Sequence, residues 1–445
     1  MSTLVLPAET KKTQPRWLYI VLCVAFCGLY FLRDILDLPI SYYLIYALAM
    51  FIVLTVSRGE VIAFVISMAA FTGAGFDGIF CTMLLGCVLL RFYNCLQTVK
   101  LYSIALICMC VFELIHFLVT DKTGFGAIQT YVMALLILFV IQQCPNEIID
   151  KKLVVNSFIA FSLFFVLMTL VQMIQAVGSL KALLESGYRV EEYTELRDTA
   201  RMMANQNYIT SLCSLNLCLC ILMLTKKMPK IPYIVFFALF MLSGFLTVSK
   251  MFLVILIAFA AYLVVISMKK SLTRGITTIL LIAFVVFVVM QLLGDNLIEI
   301  IRHRFETEEL TSGRIRIVED MLAYMKEHPA MYFVGTGIIP VHYISDKAVH
   351  SSFFEILGGW GVLGLILVVA YIVGLVKDAR YHVSNENREI TGYNYLPLLV
   401  YLSYSLIGML FSSAFAVIKL MVCIYALQLK GRDEEDDVQH HNAGV

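Results

Sequence analysis

Residues 152–177 read KLVVNSFIAFSLFFVLMTLVQMIQAV, with no charged residue after Lys152. That run is longer than the ~20 predominantly apolar residues an α-helix needs to cross a bilayer. Similar runs fill most of the chain. The candidate spans are 17–32, 38–57, 60–73, 75–90, 101–120, 126–142, 152–177, 205–225, 230–246, 250–268, 275–293, 350–376, 393–408 and 410–428. Of 445 residues, 60% are hydrophobic and only 15% are charged. Mean hydropathy is +0.87, and a soluble domain of this size would need far more polar surface.

Hydrocarbon offers no hydrogen bonds, so each spanning segment must satisfy its own backbone. Runs of this length predict helices, because outer-membrane barrel strands would be shorter and would alternate. The predicted fold class is an all-α polytopic integral membrane protein. It is a helical bundle of about 12–14 transmembrane helices with two larger extracytoplasmic loops. A single transmembrane domain covers 1–428 and includes the loops 178–204 and 294–349. The acidic tail 429–445, with Asp433, Glu434, Glu435, Asp436 and Asp437, is expected to be cytoplasmic and disordered.

Two places are ambiguous. Spans 60–73 and 75–90 are short and broken by Gly73, Gly75 and Asp77, so they read either as two spans or as one re-entrant pair. The stretch 230–268 is too long for one span, and Ser243, Gly244, Thr247 and Ser249 place a turn near its middle.

Basic residues orient the chain. Lys11, Lys12 and Arg16 precede the first span, and Arg58, Arg91, Lys100, Lys151, Lys152, Lys226, Lys269, Lys270, Lys377 and Arg380 fall on the same side. By the positive-inside rule that side is cytoplasmic, so both termini lie inside and both long loops outside. Arg33 and Lys122 are the short-loop exceptions. The first span is followed by Arg33, Asp34 and Asp37 rather than by small residues, and it reads as a membrane helix, not a cleaved signal. The 12 Cys lie in or near apolar spans and inner loops, where a thiol serves as a small packing group.

The two outer loops carry the candidate site. In the first, Arg201 lies nearest the next span, just before Asn205, Gln206 and Asn207. Residues 191–204 read as a short amphipathic helix, most of whose charges are expected to be solvated. Lys250 follows the turn in 230–268, and either snorkels to the interface or binds a phosphate. The second loop offers Arg302, His303 and Arg304, one of whose arginines is expected to pair with a glutamate. Residues 311–327 predict a helix capped by Thr311 or Ser312, with Ile315, Ile317, Met321 and Met325 on its apolar face. Arg314 falls in its first turn, where a cation opposes the helix dipole and a bound anion would offset the cost. Gly335 and Gly337 permit close backbone approach to a ligand, but the stretch lacks the GxxxxGK[ST] pattern of a nucleotide-binding loop. His350 opens the next span and is the best candidate for proton transfer, with Glu355 about one turn deeper. Gly358, Gly359, Gly361 and Gly364 allow tight helix contact.

Taken together, Arg201 with its Asn-Gln-Asn segment, Leu246 to Lys250, Ser312-Gly313-Arg314, Gly335-Thr336-Gly337 and His350 to Gly364 resemble the O-antigen polymerase and ligase superfamily of bacterial membrane glycosyltransferases. Two departures stand out: Lys250 occupies a position where the family often has arginine, and the Asn segment lacks the common Asn-Pro-Asn form. The resemblance implies a GT-C-like fold in the bacterial cytoplasmic membrane, with the active site facing outward. It implies undecaprenyl-pyrophosphate-linked oligosaccharides as substrates, membrane lipids around them, and a chain-length regulator and flippase as partners. No cofactor, metal or nucleic acid is expected. His350, Arg314 and Arg201 would be catalytic, with Lys250, Arg304, Arg302 and Glu355 binding substrate. The first reading is polymerisation of repeat units into O-antigen or capsular polysaccharide. The alternatives are a ligase that transfers glycan to lipid A-core and, from a different class, a polysaccharide transporter.

Overall fold

The computed structural model describes residues 16–71, 76–119, 125–188, 206–226, 229–292, 295–307, 314–338, 351–385, 390–407 and 414–430. Every regular element among them is helical. The first half comprises α1 (Trp17–Asp34), α2 (Tyr42–Thr55), α3 (Arg58–Ser67), α4 (Gly78–Phe92), α5 (Ile104–Val119), α6 (Phe125–Gln142), α7 (Lys151–Val177) and α8 (Leu180–Ser186). The second comprises α9 (Gln206–Thr225), α10 (Lys230–Leu246), α11 (Lys250–Lys270), α12 (Leu272–Leu292), α13 (Asp295–Thr307), α14 (Arg314–Glu327), α15 (Met331–Val334), α16 (Ser352–Asn385), α17 (Gly392–Ile407) and α18 (Ala414–Leu427).

Nine helical stretches among the described residues are long and apolar enough to cross a membrane, judged by length and composition. Tyr42–Thr55, Lys230–Leu246 and Val417–Leu427 are shorter apolar helices. The chain is thus a multi-pass helical membrane bundle.

The ambiguous pair 60–73 and 75–90 divides unequally. Gly78–Gln97 is a full-length candidate span. By contrast α3 is short and continues into a 3₁₀ turn at Met68–Phe71, and Val61 through Ile66 and Met68 through Phe71 have no exposed surface. A helix apolar on every face belongs inside a bundle. Its start is set by a capping box, in which Glu60 accepts the Ser57 backbone N–H at 2.9 Å. Packed against α7, it forms the centre of the core together with Phe26, Phe64, Phe71, Phe161 and Phe165. At the other extreme α12 shows almost its whole surface to the outside.

Cross-links define two ends. At one, Arg16 bonds Asp150 at 2.6 Å, the Tyr19 hydroxyl donates to Ser157, and Tyr102 donates to Asp378. At the other, Gln172 donates to the Asp34 carbonyl, the Tyr208 hydroxyl reaches the carbonyls of Ala69 and Ala70, and the Tyr404 hydroxyl donates to the Asn207 carbonyl. The second end also carries α8 and the helices α13 to α15, so the amphipathic elements collect there. All 12 cysteines are free. In the 143–150 turn, a hydrogen bond to Cys95 and burial raise the pKa of the Cys144 thiol, as suits a packing group.

Candidate functional site

The break in 230–268 falls where the small polar residues place it. α10 ends at Leu246 and α11 starts at Lys250. Between them Val248 adopts φ 49°, a strained conformation for a β-branched residue. The Thr247 hydroxyl closes the turn onto the Gly244 carbonyl at 2.6 Å and meets the Thr210 hydroxyl at 3.1 Å. Tyr188 N–H donates to the Leu246 carbonyl at 2.7 Å, and the Gln206 amide donates to the Tyr188 carbonyl at 2.6 Å. Both ends of segment 189–205 are therefore tied to the turn that leads into Lys250. Arg201 and the predicted 191–204 helix lie outside the described residues. Lys250 is half-buried as the first residue of α11.

A second anchor holds the chain after α15. Gly335 has φ 70°, and a Cβ there would sit 2.2 Å from the Gly359 backbone. Gly361 kinks α16 at φ 65°, and its own Cβ would meet Phe333 at 2.3 Å. Thr336 and Gly337 N–H groups donate to the Gly358 and Gly359 carbonyls at 2.9 and 2.6 Å. The glycines thus serve approach of one backbone to another, which corrects the expectation that Gly335 and Gly337 admit a ligand. The same turn is held from the side by α5. The Glu113 carboxylate accepts the Ile338 N–H at 2.6 Å and the Trp360 indole N–H, and His116 Nε2 lies 2.8 Å from the Val334 carbonyl. Segment 339–350 leaves from this anchor and rejoins at Ser351, at the head of α16. His350 lies in it, outside the described residues. Glu355 is fully buried in the first turn of α16, where the helix dipole favours an anion. Tyr131 interacts electrostatically with both Glu113 and Glu355, so the two carboxylates share one buried neighbourhood.

Arg302 bonds Glu299 at 3.2 Å with both side chains exposed, the glutamate pairing that the sequence predicts for one of the two arginines. Arg304 follows half a turn later in α13. Arg314 is the first described residue of α14, and the predicted caps Thr311 and Ser312 lie outside the described residues. The side chains of Arg304 and Arg314 lie outside the described ones. α14 docks through Ile317, Met321 and Met325 onto Phe354 and Leu357 of α16. Ile315, expected on that apolar face, is 56% exposed, because the contact is narrower than the periodicity implies.

The buried polar residues that the sequence reading passed over include Glu113, His116 and Lys419. Their signal was present, since an ionisable group inside an apolar span is costly and needs a reason. A cavity of about 470 Å³ at the same end is lined by Arg33, Ser41, Tyr42, Tyr46 and Asp77, and by none of the predicted site residues. Among the described residues no cluster of three or more His, Cys, Asp or Glu is placed to hold a metal ion.

Residues 234–369 match the Wzy_C family model, described as O-antigen ligase. The match runs from α10 to the middle of α16, and includes Lys250, Arg302, Arg304, Arg314, His350 and Glu355 but not Arg201. No curated protein matches the chain. The match covers less than half of the chain, and with the membrane helical architecture it supports a glycan-transfer role for a membrane protein.

Proposed function

We propose that this protein transfers a glycan from a polyprenyl-pyrophosphate donor to an acceptor hydroxyl at the outer face of a bacterial cytoplasmic membrane, within a GT-C-like fold. The observation that carries the reading is the match over 234–369 to the O-antigen ligase family, which takes in six of the seven predicted site residues. The ligase reading, with lipid A-core as acceptor, comes first for that reason, ahead of the repeat-unit polymerase that the sequence resemblance favours. Both use the same donor site and differ only in acceptor.

In this mechanism Arg201, Lys250, Arg304 and Arg314 hold the pyrophosphate and stabilise the charge that develops on it. His350 accepts the proton of the acceptor hydroxyl as its oxygen attacks the anomeric carbon. The bond from that carbon to the phosphate oxygen breaks, the centre inverts, and the polyprenyl pyrophosphate leaves. Glu355 orients the site, and Arg302 is a peripheral contact. The end of the bundle that carries α8 and α13 to α15 faces outward, as the distribution of basic residues requires.

Reconstitution of the purified protein with lipid-linked repeat units, without metal or nucleotide, tests this by gel and mass spectrometry. Transfer to added lipid A-core with release of undecaprenyl pyrophosphate supports the ligase. A ladder formed without lipid A-core makes it a polymerase. Intact substrate under both conditions overturns glycan transfer and leaves transport.

A further inference from the structure

Lys419 is the sixth residue of α18, about 8 Å from the start of that helix at 1.5 Å per residue. It is only 2% exposed, and its Nζ makes no hydrogen bond or ion pair with the described residues. What it does meet is the face of the Tyr208 ring, 3.9 Å from the centroid. That ring cannot swing freely, because its hydroxyl is bound at 2.8 and 3.0 Å to the carbonyls of Ala69 and Ala70. Tyr208 belongs to the first turn of α9, a helix of 20 residues whose leading N–H groups carry partial positive charge. Around that turn stand Gln206, Asn207, Tyr404, Thr210 and Thr247, all joined by hydrogen bonds. The buried ammonium thus rests on a ring carried by the first described turn of α9.

An ammonium inside a membrane bundle is costly unless an anion, a carbonyl or water accompanies it, and such residues mark substrate paths. A cation over an aromatic face is only partly compensated. The place is also the right one. The segment that carries Arg201 enters α9 at this turn, and α18 begins at the end of the bundle that carries α13 to α15. Resting on the glycan-transfer reading above, we propose that Lys419 and the first turn of α9 form an anion-binding site for the pyrophosphate of the polyprenyl donor. Lys419 lies outside the 234–369 match, so the site would extend the donor contacts to the last helix of the bundle.

The test is binding of undecaprenyl pyrophosphate to the full-length protein in phosphatidylcholine nanodiscs, read by native mass spectrometry, with undecaprenol as the uncharged control. Lys419→Met should weaken binding of the pyrophosphate at least tenfold and leave undecaprenol binding unchanged. Lys419→Arg should restore most of it. Because methionine fills the same apolar volume without a charge, the variant should melt no lower than the parent. Should Lys419→Met fail to insert, Lys419→Gln supplies the same comparison. Equal pyrophosphate binding by parent and uncharged variant overturns the proposal, as does a parent that prefers undecaprenol. Competition by phosphatidylglycerol in mixed nanodiscs, with no preference for the isoprenoid, would assign the site to a phospholipid headgroup and overturn it too. These outcomes are separate from the transfer assay: failure of the parent to transfer glycan defeats the functional reading, whatever the binding data show for Lys419.

Discussion

The two ends of the bundle differ in how fully they enclose charge. At the end marked by Arg16, cations meet carboxylates: Arg16 with Asp150 at 2.6 Å and Lys100 with Asp378 at 3.5 Å, while the His382 ring lies 3.5 Å from the same Asp378. These pairs are part-exposed and local, and serve to keep loops and helix ends in place. The opposite end has such pairs too, Arg33 with Asp34 and Arg302 with Glu299, each at 3.2 Å, but there charge also goes fully inward. Glu113 and Glu355 are fully enclosed, and Lys419 is nearly so. Glu113 directs its carboxylate to backbone and indole N–H groups. Only one of these arrangements is explained by topology alone. Buried charge is costly, and its concentration at one end is what the proposed glycan transfer there would draw on.

The sharpest way to break that contrast is His350→Ala. If the loop-bearing end is catalytic, loss of a proton-transferring imidazole lowers turnover by about 10²–10⁴-fold. Insertion and helical content should be unchanged. Near-parental turnover in the reconstituted assay removes His350 from any essential role.

Glu113→Leu comes next, and its first effect is on structure. It leaves the Ile338 N–H and the Trp360 indole N–H without their acceptor in a buried site. Each orphaned donor costs about 1–3 kcal/mol, so thermal stability should fall clearly. The segment 339–350 starts from this anchor, and transfer should fall with it. A Glu113→Leu variant that melts and turns over like the parent would show that α5 does not hold the site.

A smaller effect is expected from Arg314→Ala. Loss of one charge-assisted contact to pyrophosphate costs about 1.5–3 kcal/mol, or some ten- to a hundredfold in kcat/KM. The melting temperature should hardly move, because α14 docks through Ile317, Met321 and Met325 and not through its first residue. Unchanged donor binding and turnover would take Arg314 out of the site.

Much of this molecule is readable from residue order, and what escapes does so for a physical reason. Spans follow from the length of apolar runs, and the break at Thr247 to Ser249 follows from small polar residues set between two such runs. Neither of these needs knowledge of a neighbour. Gly335 and Gly361 do, since each glycine is required by the other's backbone, and their role is invisible until the turn and the helix are seen together. α3 looks like an ordinary weak span because apolar surface reads alike against lipid or protein. Glu113 and Lys419 are single letters in apolar runs. Nothing local tells whether such a residue meets an indole, an aromatic face or a substrate. The reading of the site was drawn to loops because charges cluster there, and so passed over the ionisable groups inside the helices.

The smallest effect is expected at the other end, from Asp378→Asn. Asp378 joins α16 to Lys100 at 3.5 Å, lies 3.5 Å from His382 of the same helix, and accepts the Tyr102 hydroxyl at 3.1 Å. The residues are about one quarter to one third exposed, so water and salt screen the pairing. Pairs of this kind contribute about 0–1 kcal/mol. Asparagine keeps an acceptor for Tyr102, and the remaining loss should move the melting temperature by little and shrink further as salt is added. Glycan transfer and the affinity for undecaprenyl pyrophosphate should match the parent. A loss of transfer as large as that from His350→Ala, in a protein that still inserts and melts normally, would mean that charge at both ends governs the reaction. The division of the bundle into a structural end and a chemical end would then have to be given up.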